Sequence, residues 1–166
     1  MEKRVFIYPT EPSLARFKSH LRLTGDDLDA ELSDNLLAAI RSAEATIGKV
    51  ISPSYLSQEF RFRQTLRLHG PVIEILDVKV DGSSLEPEDY SLKGSCLEIA
   101  AAVSGERVEV EWKAGMDQVP PDIIKAILLK GAHLFNNPGD AVDVLVSASD
   151  NMLRPYRTWG LDDEDC

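Results

Sequence analysis

Residues 20–51 read HLRLTGDDLDAELSDNLLAAIRSAEATIGKVI, a helix end, an acidic turn and one long amphipathic helix. Leu28, Leu32, Leu36, Ile40, Ala43, Ile47 and Val50 recur every three or four residues, which puts them on one stripe. Taken from Asp26 to Ile51 the helix would be about 39 Å long at 1.5 Å per residue. Thr24 is placed to cap it, with Asp27 three residues on as a short-armed capping box, and Asp26, Asp27 and Asp29 suit the positive end of the helix dipole. A second strip, Ala38, Ala39, Ala45 and Gly48, carries only small side chains and would let another helix approach closely. On that reading it is a candidate subunit interface, and Ala39→Glu should spare the fold while Leu36→Asp should destroy it. The same pattern also suits a core helix of an ordinary bundle.

Before this helix, Thr10 and Pro12 suit a helix start, and Leu14, Phe17 and Leu21 follow at helical spacing. After it the period changes to two. Phe60, Phe62, Leu66 and Leu68 alternate with Arg61, Arg63, Thr65 and Arg67, as in a half-buried strand. Leu76, Val78 and Val80 alternate with Asp77 and Lys79, Asp81-Gly82 marks a turn, and residues 90–99 read as a hairpin around Lys93-Gly94-Ser95. Val108, Val110 and Trp112 form a further alternating strand. Tight turns between short strands imply an antiparallel sheet. Pro120-Pro121-Asp122 then opens a helix whose apolar face should hold Ile123, Ile127, Leu134 and Phe135, and Asn137-Pro138-Gly139 ends it. Ser149 or Asp150 is placed to cap a short helix before Pro155.

The expected fold is therefore α+β: a mainly helical bundle from residues 10–52 and 120–157, with a small antiparallel β lobe inserted over 58–112. We read residues 1–166 as one domain, with 158–166 as an acidic, flexible tail.

The composition, 43% apolar and 28% charged, is that of a globular protein. The short apolar run after Arg4 stops at Pro9, too short for a signal peptide, and no stretch suits a bilayer, so no membrane association is expected. A net charge of -10 argues against a sequence-independent nucleic-acid binder. The stripe Arg61, Arg63 and Arg67 is better read as cross-strand partners of Glu109 or Glu111 than as a phosphate contact. Cys96 and Cys166 form neither a disulfide framework nor a ligand set, and are expected as one half-buried thiol and one tail thiol. His20, His69 and His133 fall in different zones without a carboxylate or cysteine at ligand spacing. No nucleophile elbow or phosphate loop occurs. No catalytic, cofactor or metal residue is assigned, and no enzyme activity is expected.

Several runs, in order, resemble head–tail connector (adaptor) proteins of long-tailed double-stranded DNA bacteriophages, in the longer form with a β insertion. These are His20-Leu21-Arg22-Leu23-Thr24 with Asp26-Asp27 and the Ala-rich helix, then the β segment of residues 60–80 with Gly70-Pro71-Val72. Trp112-Lys113-Ala114-Gly115, Val119-Pro120-Pro121 and Ile124-Lys125-Ala126-Ile127-Leu128-Leu129 look like the family's linker and second major helix, and Leu153-Arg154-Pro155-Tyr156-Arg157 its C-terminal signature. One departure stands out: the family's aromatic-Glu-Asn-Arg run is replaced by Phe135-Asn136-Asn137-Pro138.

The resemblance implies a structural protein of the virion neck, assembled in the host cytoplasm as a ring of about twelve subunits through head-to-tail contacts. The ring would sit beneath the portal protein and offer a surface to the next neck or head-closure protein. DNA would pass through its channel without sequence-specific binding. Leu153, Arg154, Tyr156 and Arg157 become candidates for portal docking. The alternatives are another phage assembly module, a head-closure or tail-completion factor, or a small ligand-binding domain or enzyme using the β lobe.

Overall fold

A computed structural model of the 166-residue chain describes residues 3–7, 10–137 and 148–157. The fold is α+β, with terminal helices and an antiparallel β lobe between them, and the chain divides into two compact units.

The helical unit comprises described residues 10–52, 117–137 and 148–157. Helix α1 (Leu14–Leu21) starts two residues beyond Pro12: Ser13 is its cap, its hydroxyl accepting from the Arg16 N–H at 3.3 Å. Arg22 closes α1 in the left-handed region (φ 58). The Thr24 capping box does not form. Gly25 (φ 90) turns the chain and the Asp29 N–H donates to the Asp26 carbonyl at 3.1 Å. Helix α2 (Asp29–Ile47) therefore begins three residues late, with Leu28 at its cap and no side-chain cap bond. Its 19 residues span about 28 Å rather than 39 Å.

The α2 stripe is largely as expected, with Leu32, Leu36, Ile40, Ala43 and Ile47 at 2% exposure or less, but Leu28 is exposed. Helix α3 (Pro121–Asn136) contributes Ile123, Ile124, Ala126, Ile127, Leu128 and Gly131 to the same core. Leu134, expected on this face, is 38% exposed: it keeps the direction of Ile123 and Ile127 but lies in the last turn of α3, beyond Gly131, the last buried position of the helix. Gly131 is where Phe17 packs: a methyl there would lie 2.9 Å from two carbons of that buried ring. Helix α4 (Ala148–Leu153) has Ser149 and Leu153 buried, and a 3-10 turn (Arg154–Tyr156) follows. Ser149 thus lies inside the helix rather than capping it.

The β unit comprises described residues 3–7 and 53–116. One sheet has the order β1-β2-β8-β4-β5, from β1 (Lys3–Phe6), β2 (Ser54–Arg61), β4 (Val72–Val80), β5 (Ser83–Ser84) and β8 (Arg107–Ala114). A second has the order β3-β7-β6, from β3 (Thr65–Arg67), β6 (Tyr90–Lys93) and β7 (Cys96–Ile99). Every ladder is antiparallel. Val108, Val110, Trp112 and Ala114 on the central strand β8 are fully buried, and the Trp112 indole donates to the His69 carbonyl at 3.0 Å. The Asp81-Gly82 turn (φ 48 and 86) and the Gly94 hairpin form where expected.

The single strand expected over residues 60–68 is two strands in different sheets, because β2 ends at Arg61 and β3 begins at Thr65. Its alternation survives the break because Leu66 and Leu68 still point into a core. Strand β1, absent from the expected elements, pairs Lys3–Phe6 with residues 54–57 of β2. It is held further by Arg4, whose Nε donates to Ser54 Oγ at 3.0 Å while its guanidinium sits 4.2 Å from the Phe6 ring centroid.

Cys96, expected half-buried, is 3% exposed and is not a free thiol. Cys166 and the acidic tail 158–166 lie outside the described residues. No helix among the described residues is long and apolar enough to cross a membrane.

Candidate assembly surfaces

The end of α2 is built around a carboxylate. Glu44, 4% exposed, accepts from the Ile51 N–H at 2.7 Å and the Ser52 N–H at 3.2 Å. Gly48 ends the helix in the left-handed region (φ 73), its N–H returning to the Glu44 carbonyl. The Ser52 hydroxyl in turn accepts from the Glu11 N–H at 3.3 Å. Buried backbone N–H groups need partners, and Glu44 supplies them where the helix cannot. The sequence carried a signal for this: position 44 lies four after Ile40 and three before Ile47, a charge on the apolar stripe.

The small-residue strip divides. Ala38 and Ala45 are exposed, as is Gly48, whereas Ala39 is fully buried in the helical core. Only Ala38, Ala45 and Gly48 remain available to a neighbour, and the expectation that Ala39→Glu spares the fold is withdrawn.

At the start of α2, Lys18 Nζ reaches from α1 to Asp26 Oδ1 (2.8 Å) and Asp29 Oδ1 (2.7 Å). These bonds raise the Lys18 pKa above 10.5, and Lys18 lowers that of Asp26 below 3.8. His20 is pushed down, first by partial burial and then by the Lys125 charge.

In the C-terminal segment, Leu153 is fully buried and serves as an anchor rather than a contact. Lys130 of α3 fixes α4 by donating to Asp150 Oδ1 at 2.7 Å. The half-buried Tyr156 hydroxyl donates to Asp122 Oδ2 at 3.4 Å, and burial followed by the Asp122 charge raises its pKa. Arg154 and Arg157 are exposed. The segment thus offers two guanidiniums and a phenol rim on a buried leucine.

The arginine stripe is not brought together as one ladder. Arg61 stands opposite Arg107, Arg63 lies between strands, and Arg67 stands opposite Cys96 in the other sheet. Glu109 and Glu111 face Glu59 and Ser57 across β2, not arginines, and the ion pair formed there is Arg107–Glu59 at 3.2 Å. Among the described residues no group of three His, Cys, Asp or Glu is arranged to hold a metal ion.

No protein-family model matches the chain, and no curated protein matches it. Solved structures do. A chain in the neck of an empty GTA particle with C6 symmetry superposes with a TM-score of 0.78 at 22% identity, covering 95% of both chains. The chain shares that fold. A chain in the neck of a native GTA particle with C12 symmetry gives 0.74 at 21% identity, again over 95% of both. One in the virion of a native gene transfer agent particle gives 0.68 at 22% identity, over 95% of both.

Proposed function

We propose that this chain is a structural, non-enzymatic subunit of a virion neck that assembles as a ring and joins head to tail. The observation that carries this is the match of fold over 95% of both chains to a neck chain of a GTA particle, at a TM-score of 0.78. The C12 symmetry of one such neck supports a ring of about twelve copies. A closed ring needs two different faces on each subunit. The exposed Ala38, Ala45 and Gly48 edge of α2 is our candidate for one of them.

We assign docking on the portal to Arg154, Tyr156 and Arg157, with Leu153 holding their segment in place. A chain of net charge -10 suits a channel that DNA passes without adhering, and the opposite end of the ring would receive the next neck protein. Assembly would take place in the host cytoplasm before incorporation in the particle.

The test is native mass measurement and negative-stain imaging of the full chain, alone and with purified portal. A ring bound to portal is the expected result. Binding to tail-tube subunits in place of the portal would move the protein to a head-closure or tail-completion role. Absence of any ring and of any portal binding would overturn the reading.

A further inference from the structure

The five-stranded sheet has an edge at each side. Strand β1 ends it on one side. On the other, β5 covers only Lys79 and Val80 of β4, and the Leu85 N–H takes the Val78 carbonyl at 2.8 Å. Among the described residues no strand covers the outer edge of β4 from Val72 to Asp77. Such an edge presents backbone N–H and C=O groups that a further strand can take up. The two edges agree in length. Strand β1 stands on four rungs: Phe6, Val5, Arg4 and Lys3, in line through β2 with Ala114, Lys113, Trp112 and Glu111 of β8. The open stretch of β4 stands on the same rungs, through Val72, Glu74, Ile75 and Asp77. They also agree in direction, because three successive antiparallel ladders leave β1 running opposite to β4. A second copy set beside the first in the same orientation lays its β1 antiparallel to β4. Phe6 then meets Val72, Val5 meets Glu74, Arg4 meets Ile75 and Lys3 meets Asp77.

The side chains fit the same register. On the outward face of the Glu74 rung, Lys113 faces Glu74, so the rung is balanced in charge. A bulge sets Ile73 (46% exposed) beside Glu74, and Val5 (64% exposed) would pack there. The Asp77 rung is different. Asp77 faces Glu111, and Lys79, which holds Asp77 at 2.9 Å, also faces Glu109. That corner keeps a negative surplus, and Lys3 would meet it. Arg4 stays on the opposite face of the sheet, at its own Ser54. Like edges fit worse: two β4 edges would gather Glu74 and Asp77 of both copies, and like charges across a ladder are destabilising. The favoured seam joins two different edges, which is what a ring requires and a two-fold dimer does not.

We propose that β1 of each copy adds as a strand to the open edge of β4 in the next copy, so that one sheet runs on from subunit to subunit. The proposal rests on the ring reading above and specifies one of its contacts. In neighbouring copies positions 5 and 74 would stand directly opposite, with Cβ atoms about 5 Å apart. Within one chain they are three strand spacings apart, about 14 Å. Dibromobimane, which bridges only adjacent thiols, separates the two cases. Full-length Val5→Cys/Glu74→Cys is assembled alone or on purified portal, treated with the reagent and run on a denaturing gel, with rings counted in the same samples. A ladder of dimers, trimers and higher species is expected, which Val5→Cys alone, Glu74→Cys alone and the unmodified chain do not give. In parallel, Lys3→Glu should melt like the unmodified chain yet need about tenfold more protein to form rings.

Rings without that ladder, or a dimer from either single variant, would overturn this inference and leave the ring reading standing. No rings from the unmodified chain, alone or on portal, would remove both.

Discussion

At the scale of single residues, two side chains answer for much of the helical unit. Glu44 is a buried charge whose carboxylate satisfies two backbone N–H groups just beyond the end of α2. Glu44→Ala leaves both donors in a site closed to water, at a cost of about 3 kcal/mol. Glu44→Gln keeps an acceptor and should recover about half of that in urea denaturation. Gly131 shows the opposite constraint. Alanine would favour the helix by about 1 kcal/mol, but its methyl would press on the buried Phe17 ring, and overpacking costs about 1–3 kcal/mol. Gly131→Ala should thus destabilise by about 1 kcal/mol net, read as a lower urea midpoint with unchanged slope. Glycine gives no sequence pattern that names its neighbour, so this contact was not legible before the fold, whereas the position of Glu44 on the stripe was.

At the scale of elements, the junction of α1 and α2 is set by Lys18 and not by a cap. Lys18 and Asp26 give opposite pH windows. Asp26, held below 3.8, contributes stability that is present above 3.8 and is lost as pH falls through its lowered folded value. Lys18, raised above 10.5, contributes stability that is present below 10.5 and is lost as pH rises through its folded value. Asp26 is 90% exposed, so the effect is modest and salt-sensitive. Lys18→Met should flatten the difference in stability between pH 5 and pH 3, and high salt should reproduce much of that flattening in the unmodified chain. A wild-type slope retained in Lys18→Met would show that other carboxylates dominate. The helices and hairpins themselves were readable because they run long enough for a period to repeat. Strand β1, four residues long, gives too few repeats to register. The gap between β2 and β3 was hidden because alternation persists across it.

At the scale of the molecule, α+β organisation followed from the order of periods along the chain, but which small residues of α2 lie exposed did not. Alanine carries no polarity, and neighbours on a helix differ by about 100°, so Ala38 and Ala39 look alike in sequence while one is exposed and the other wholly buried. They now separate assembly from folding. Ala39→Glu should yield unfolded or aggregated protein by circular dichroism, because it buries a charge without a partner. Ala38→Glu should leave the melting curve within about 0.5 kcal/mol of the original and weaken ring formation. Normal rings from Ala38→Glu would release this edge of α2 from the interface.

Strand β1 also has a consequence in time. Its partner on β2 lies about fifty residues further along the chain, with both α1 and α2 made in between. At about 5–20 residues per second during synthesis, β1 waits about 3–10 s for a strand to pair with. A bare β segment at the ribosome invites pairing with a foreign chain, and charged residues flanking or inside such a segment oppose it. Lys3 and Arg4 lie within β1 itself, so Arg4, which later ties the strand to Ser54, also helps to guard it while it waits.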